Sequence, residues 1–427
     1  MKKNYLLMFL FISVLMFSVA CNKDTSQTSG KTDTKDKGPV DLTFMIWGND
    51  QHLAMYQGLL DEYMKTHTNV HVKLQSVPFP DYQQKITVLA AGNQLPDIGW
   101  VSERMVPQFE ENNLLEDVAS IQKDKEWDVK DFIPSTLELF QKDNQLFGIP
   151  FSTPPTVMFY NEDLFKKVGE KTPNEYAKED KWTWEQFEKS AKAISGNGVY
   201  GANLFRDWKT WVPLMSRTWS YGGSLFNKDV SKFTLNSGAG EDTLAMIDRM
   251  MFKDKSHPKA GEQIGFETGK IGMFTDVYSY VASARGIKDF KWDIAPIPSG
   301  PKGSIPMLGQ AGISVFKGSK HPNEAKELLK FLTTKEAITQ SSTYFVPPRE
   351  SVLSSDSFAN QPNNPSKESI DRAVIEGMKH ARLQVGHVKW QEVDNAVLFG
   401  LDELFSQQKT PKEILKEVQE KVDPILK

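Results

Sequence analysis

The residues with chemical reach in this sequence are aromatic and polar side chains gathered on turn-rich stretches. Trp47-Gly48-Asn49-Asp50-Gln51 is one group and Trp100-Val101-Ser102-Glu103-Arg104 is another. Asp207–Trp211, Trp219–Gly223 and Asp276–Tyr280 are three more. Aromatic rings offer broad apolar faces, and neighbouring carboxylates, amides and guanidinium groups offer hydrogen bonds. That combination suits non-covalent binding. A catalytic set is not in evidence: there is no Gly-x-Ser-x-Gly and no phosphate-cradling glycine loop. The seven histidines are scattered, with no His/Cys/carboxylate cluster at metal-ligand spacing. Among 55 acidic residues carboxylate pairs must occur, but spacing ties none of them to general acid/base work. The expectation is therefore a binding protein without metal or cofactor. No basic run interleaves with aromatics, so nucleic acid is not an expected partner.

These groups need strands and helices to hold them. Asp41–Trp47 is a nearly unbroken apolar run, as in a strand buried on both faces. Leu53, Tyr56, Leu59, Leu60, Tyr63 and Met64 then repeat at helical spacing. Val70–Val77 alternates as a strand. Asp81 begins a helix that Gly92-Asn93 stops, and Pro96–Val101 is a third strand. Strand–helix alternation with short connections gives an α/β, doubly wound sheet, which binds ligands beyond the carboxyl ends of its strands. Asn49, Asp50 and Gln51 then share a rim with Trp100, Glu103 and Arg104. The alternatives are helix capping by Asp50 and a plain surface pair of Glu103 with Arg104.

The rest of the chain turns about Phe147–Asn161. The runs Leu146–Phe151 and Thr156–Tyr160 flank Ser152-Thr153-Pro154-Pro155, whose prolines stiffen an extended backbone. The stretch is a hairpin or a crossing between two lobes. Val346-Pro347-Pro348-Arg349 is a second crossing candidate. With both in view the crossing is the better reading, with bending left to residues around Gly148 and Ser152. Further on, Thr183–Gln186 and Thr410–Glu413 have capping-box spacing. Asn323–Thr333, Ser369–Leu383 and Trp390–Phe405 are amphipathic helices.

The 427 residues suffice for two domains, and 39% hydrophobic with 25% charged residues is an ordinary globular composition. Lys2 and Lys3 precede an apolar run, Tyr5–Ala20, that is short for a membrane span. Small residues lead to Cys21, the one cysteine in the chain. This resembles a bacterial lipoprotein signal (residues 1–20), with Cys21 lipid-modified; an ordinary secretory signal is the alternative. Removing the two lysines takes the net charge from −4 to −6. Residues 21–39 are polar enough to serve as a flexible tether.

Several stretches stand in a telling order: Leu42–Gly48 (LTFMIWG), Ala90–Ile98 (AAGNQLPDI), Gly148–Phe165 (GIPFSTPPTVMFYNEDLF) and Trp182–Phe187 (WTWEQF). Phe266–Met273 (FETGKIGM), Gly312–Leu332 and Val346–Arg349 (VPPR) follow. In this order the chain resembles the family 1 extracellular solute-binding proteins, the sugar-binding subunits of bacterial ABC importers, of which maltose-binding protein is a relative. The resemblance implies an α/β, two-lobe, type II periplasmic-binding-protein fold with doubly wound sheets and hinge crossings. It places an N-terminal lobe at 40–150 and 305–345 and a C-terminal lobe at 151–304 and 346–427, with the ligand in the cleft.

A sugar presents hydroxyls and C–H patches, which match polar side chains and aromatic faces. The resemblance adds Trp208 and Trp390 as ligand-facing aromatics; core packing is the default for Trp211 and the alternative for Trp390. Where relatives carry Gly-x-Trp, this chain reads FTDVYSY, which makes Asp276 and Tyr278 equal candidates. Thr153, in the crossing, completes the set. The implied partners are a carbohydrate ligand and ABC transporter permease subunits, with a monomer held at the outer membrane face by its lipid. A secreted carbohydrate-active hydrolase or lyase is the alternative from another class. Binding of a polyamine or metal is an alternative within the fold, and the Trp-rich rims favour sugar.

Overall fold

The apolar run that opens the folded part of the chain becomes the second strand of a five-stranded sheet. In the computed structural model, residues 38–205, 208, 210–211, 213–384 and 386–427 are described. The signal segment, Cys21 and nearly all of the tether lie outside the described residues. The strands of the two main sheets are β1 (Val40–Ile46), β2 (Val70–Ser76), β3 (Ile98–Ser102), β4 (Ile149–Ser152), β5 (Thr156–Asn161), β6 (Tyr200–Asn203), β7 (Ile271–Val277), β8 (Trp292–Ala295) and β9 (Ala311–Val315).

The first sheet has the order β2-β1-β3-β9-β4. Strands β1, β2 and β3 are parallel, as the strand–helix alternation predicts, and β9 enters antiparallel between β3 and β4. The second sheet has the order β8-β5-β7-β6; β5 is antiparallel to both neighbours, and β6 runs parallel to β7. Each sheet has its own core. Phe44, Ile98 and Ile313 meet Leu60 and Leu328 in the first. In the second, side chains of β5 alternate between two faces. Met158 and Tyr160 pack with Phe187 and Ala191, while Val157 and Phe159 pack with Phe274 and Ile294. Each such buried side chain contributes roughly 1.5–3 kcal/mol.

The chain passes between the sheets through Thr153-Pro154-Pro155. Strand β4 pairs with β9, whereas β5 pairs with β7 and β8, so the two runs do not form a hairpin with each other. The return passage lies alongside: Gly309 N donates to Pro154 O at 2.9 Å, and Leu308 bridges to Pro155. The third passage, at Val346-Pro347-Pro348, touches the first through Thr153. Its Arg349 reaches back to the first core, where it donates to carbonyls of Trp127, Asp128 and Thr333. Gly148 is not a free swivel: a Cβ there would lie 2.5 Å from Ser314 Oγ and 3.2 Å from Ile313 O, so glycine is needed for close packing on β9.

Local signals differ from expectation at three helices. The helix after β2 begins at Phe79, with Pro78 at its cap and no side-chain cap bond, and Asp81 falls in the first turn. Prolines at a helix start lack the N–H that a cap would satisfy. At Thr183 only half the box forms. Thr183 Oγ1 accepts from Gln186 N, but the Gln186 amide donates to Glu170 and Ser190. Thr410 and Glu413 form the complete box. The expected helix over Ser369–Leu383 is interrupted by a π turn at Asp371–Ile375 and ends at His380. Arg382–Leu383 then pairs with Met307–Leu308.

Candidate functional site

A cavity of about 510 Å³ opens between the two sheets, at the carboxyl ends of β1 and β3. Its first side is built by the turns that follow those strands. Asn49 caps the helix Asp50–Thr66, accepting from Gln51 N and His52 N at 3.1 and 3.0 Å. Asn49 N donates back to His52 Nδ1. Glycine at position 48 lets the imidazole fold over the backbone, since a Cβ there would stand 2.9 Å from that of His52. The cap therefore delivers Asn49 and His52 to the cavity while Asp50 and Gln51 turn to solvent.

An aromatic cluster backs this side. Trp47 and Trp100 meet edge to face at 5.1 Å, and Trp100 stacks on Phe151 at 4.6 Å. Phe151 in turn meets Phe345 at 5.2 Å, and Phe345 carries the His52 ring at 4.9 Å. Trp47, Trp100, Phe151 and Phe345 all reach the cavity. The Arg104 guanidinium lies 4.3 Å above the Phe79 ring. Glu103 and Gln310 clasp each other: Gln310 N donates to Glu103 Oε2 at 3.1 Å, and Glu103 N to Gln310 O at 3.0 Å. Burial pushes the Glu103 carboxyl above its ordinary range, against the lowering pull of Arg104 and the Gln310 N–H. It is therefore not a plain surface pair.

The opposite side comes from the second sheet. Thr275 and Asp276 end β7, and Asp276 Oδ1 accepts from Val277 N at 2.8 Å. Ser279, Tyr280 and Ser283 follow on the short helical turns after β7. Trp390 opens the helix Trp390–Phe405 and is 1% exposed, stacked on Trp211 at 5.9 Å. Trp211 Nε1 donates to Asp394 Oδ1 at 2.7 Å. Burial raises the Asp394 carboxyl pKa, and the Trp211 bond and the charge of Arg104 lower it. The two tryptophans thus divide the roles: Trp211 is packing, and Trp390 is both packing and cavity surface.

Among the described residues, buried polar atoms on this surface that find no hydrogen-bond partner include Ser102 Oγ, Arg104 Nε, Gln310 Oε1, Thr275 Oγ1 and Trp390 Nε1. Leaving such a group unsatisfied costs roughly 1–3 kcal/mol each. A ligand with several hydroxyls that both donate and accept relieves that cost.

Of the residues expected from sequence, the fold brings Asn49, Trp100, Glu103, Arg104, Asp276 and Trp390 together at the cavity. Five lie off it. Asp50 and Gln51 are exposed in the first turn of their helix. Thr153 is fully buried in the crossing, and Tyr278 is buried in the second core beside Phe358. Trp208 packs on Phe205 and Phe405 at 5.2 Å each, and Thr210 and Pro213 reach the cavity instead. His52, Phe151, Gln310 and Phe345 were missed. A sequence signal existed for His52, a third helical residue after a Gly-Asn cap. The others depend on pairings across hundreds of positions.

The same arrangement of two sheets about a cleft is found in solved solute-binding proteins. An ABC substrate-binding protein from Listeria monocytogenes in complex with cycloalternan superposes with a TM-score of 0.81 at 23% identity, covering 91% of this chain and 99% of that one. Maltose-bound MalE3 of T. maritima gives 0.78 at 20% identity, with coverages of 90% and 100%. The fold is the two-lobe type II periplasmic-binding-protein fold, with lobes on either side of the cavity. Residues 49–339 match the model of the bacterial extracellular solute-binding proteins, and the chain belongs to that family. It is 26% identical over 445 residues to the arabinooligosaccharide-binding protein of Bacillus subtilis, covering 97% of this chain and 98% of that protein.

Proposed function

We propose that this protein captures a short oligosaccharide between its lobes and delivers it to the permease of an ABC transporter. The observation that carries the reading is the pairing of an aromatic side with buried, unpartnered polar atoms around one cavity of about 510 Å³. Sugar C–H patches pack on Trp47, the half-buried ring of the aromatic side, with Trp100 and Trp390 behind, and hydroxyls meet Ser102, Arg104, Thr275 and Gln310. The relative named for arabinooligosaccharides makes pentose oligomers the first candidates.

The lobes are taken as 40–150 with 305–345 and 151–304 with 346–427, with Arg349 anchored across the boundary; β4 carries the first sheet on to Ser152, and Ile305 and Met307 pack in the second core. The working form is a monomer, lipid-anchored through Cys21 at the outer membrane face, with residues 21–39 as its tether. A ligand touching both lobes binds the closed state better and so shifts the population toward it.

A thermal-shift screen of the purified protein with arabino-, malto- and chito-oligosaccharides tests this. One series is expected to raise the midpoint by mass action, with no product after hours of incubation. Absence of any shift across the panel, or release of shorter sugars, would overturn it.

A further inference from the structure

A half-buried cation, Arg285, follows the turn that lines the cavity, and nothing in the binding chemistry uses it. Arg285 follows the short helix Val281–Ala284, whose preceding turn and body supply Ser279, Tyr280 and Ser283 to the cavity. Its Nε and Nη2 donate to Asn364 Oδ1 at 3.2 and 2.7 Å, and its Nη1 donates to the Thr343 carbonyl oxygen. Asn364 is itself fixed, donating to Ala359 O at 2.8 Å. Burial lowers the Arg285 pKa, and the groups that raise it are the Tyr278 and Tyr344 hydroxyls. Among the described residues its acceptors are an amide oxygen and a peptide carbonyl, both neutral.

The two ends of this contact belong to different lobes. Val281 and Ala284 pack in the core of the second sheet. Thr343 lies between Ile338 and Phe345, both in the first core, and immediately precedes the passage at Val346. Phe345, two residues on, faces the cavity and carries His52. A guanidinium held only by neutral acceptors recovers hydration when the contact opens, and this offsets the lost bonds. Such a contact is near balance and reversible, unlike a buried ion pair.

We propose that Arg285 is the positioning residue of an interlobe latch, tying the cavity-lining turn of the second lobe to the Thr343 carbonyl of the first and setting how far apart the lobes stand. The inference rests on the cleft-binding reading and concerns its regulation. The latch biases the free protein toward the arrangement that encloses ligand, so part of the closure cost is met before binding. It acts at the hinge side of Phe345 and touches no sugar.

The test places nitroxide labels at the exposed positions Lys85 and Gln391, one on each lobe, in a Cys21→Ser background. Interlobe distances are measured by pulsed electron resonance without ligand, then with arabinotriose. Arg285→Gln is expected to shift the ligand-free distances outward. Arabinotriose affinity then falls about tenfold, which corresponds to the loss of roughly one neutral hydrogen bond. Asn364→Ala, which frees the guanidinium without removing it, gives a smaller outward shift. A correctly folded Arg285→Gln with the wild-type distance distribution overturns the proposal. If that variant does not fold, Asn364→Ala and Arg285→Lys decide by the same distances, and two wild-type distributions overturn it. An outward shift in a protein that binds no sugar leaves the latch standing and removes the carbohydrate reading instead.

Discussion

Thr153 and Val346, 193 positions apart, hold two interlobe passages together: Thr153 N donates to Val346 O at 2.9 Å, and its hydroxyl reaches the same oxygen at 3.4 Å. Thr153 is fully buried. The residue is thus a strut between hinge strands, and the prolines beside it at 154, 155, 347 and 348 keep both passages extended. Two passages fixed to each other are constrained to bend as one unit.

Trp390 presents an unpartnered indole N–H and a ring edge to the cavity while stacking on Trp211. Trp390→Phe retains most of the packing and removes the donor. Isothermal titration with the sugar found by screening is expected to show binding weakened about tenfold, in the range for a central aromatic contact. The unfolding midpoint should change little.

His257 is fully buried and neutral. Its Nε2 accepts from Leu204 N at 2.9 Å, and its Nδ1 lies 2.7 Å from Pro258 O. Burial lowers its pKa from 6.5 to about 4. The unfolded chain therefore takes up a proton below pH 6.5 that the native protein refuses until about pH 4. Stability from this site is full above pH 6.5 and falls through that window by up to about 3 kcal/mol. Urea midpoints measured from pH 7.5 to 4 should fall more steeply in the wild type than in His257→Gln, which cannot titrate.

Glu103 shows the opposite sign. Its carboxyl pKa is raised by burial, so the native state holds its proton to higher pH than the unfolded chain does. Its contribution is full below the ordinary carboxylate range and is lost as pH rises through the folded value. Glu103→Gln should then be more stable than wild type at pH 7, with the difference closing toward pH 4. Paired urea melts across that range check it.

Arg349 is 1% exposed and uses its whole guanidinium. Nε and Nη2 donate to Thr333 O, Nη2 to Trp127 O, and Nη1 to Asp128 O and Asp131 Oδ2. Its planar face lies 4.1 Å over Phe132. Lysine cannot reproduce this fork. Arg349→Lys is expected to cost about 3 kcal/mol, read from the denaturant midpoint, because carbonyls and the Asp131 carboxylate are left short of donors.

Legibility followed the range of the interactions. The run Asp41–Trp47, the helical spacing after it and the prolines at 154–155 are local signals, and each produced the expected element. The insertion of β9 between β3 and β4 was not legible, because its partners lie about 160 and 210 positions upstream. The break in the helix after Ser369 has no local marker such as proline. At the site, Asn49, Trp100, Glu103 and Arg104 were legible because they lie at or just past the carboxyl ends of parallel strands. Asp50 and Gln51 failed to reach the cavity because the capped helix turns them outward. Gln310 and Phe345 became part of the cavity only through tertiary pairing, which no spacing encodes.

The late insertion of β9 has a consequence for how the protein is made. Until residue 315 has left the ribosome, β3 and β4 lack the strand that lies between them. Such exposed edges invite pairing with other chains. The first lobe to begin synthesis is thus obliged to wait for the other, and long-range closure of this kind is slow. A nascent chain that cannot complete its N-terminal half remains available to chaperones throughout that interval. The interleaved connectivity that places hinge strands beside the cleft also delays the native state until synthesis is well advanced.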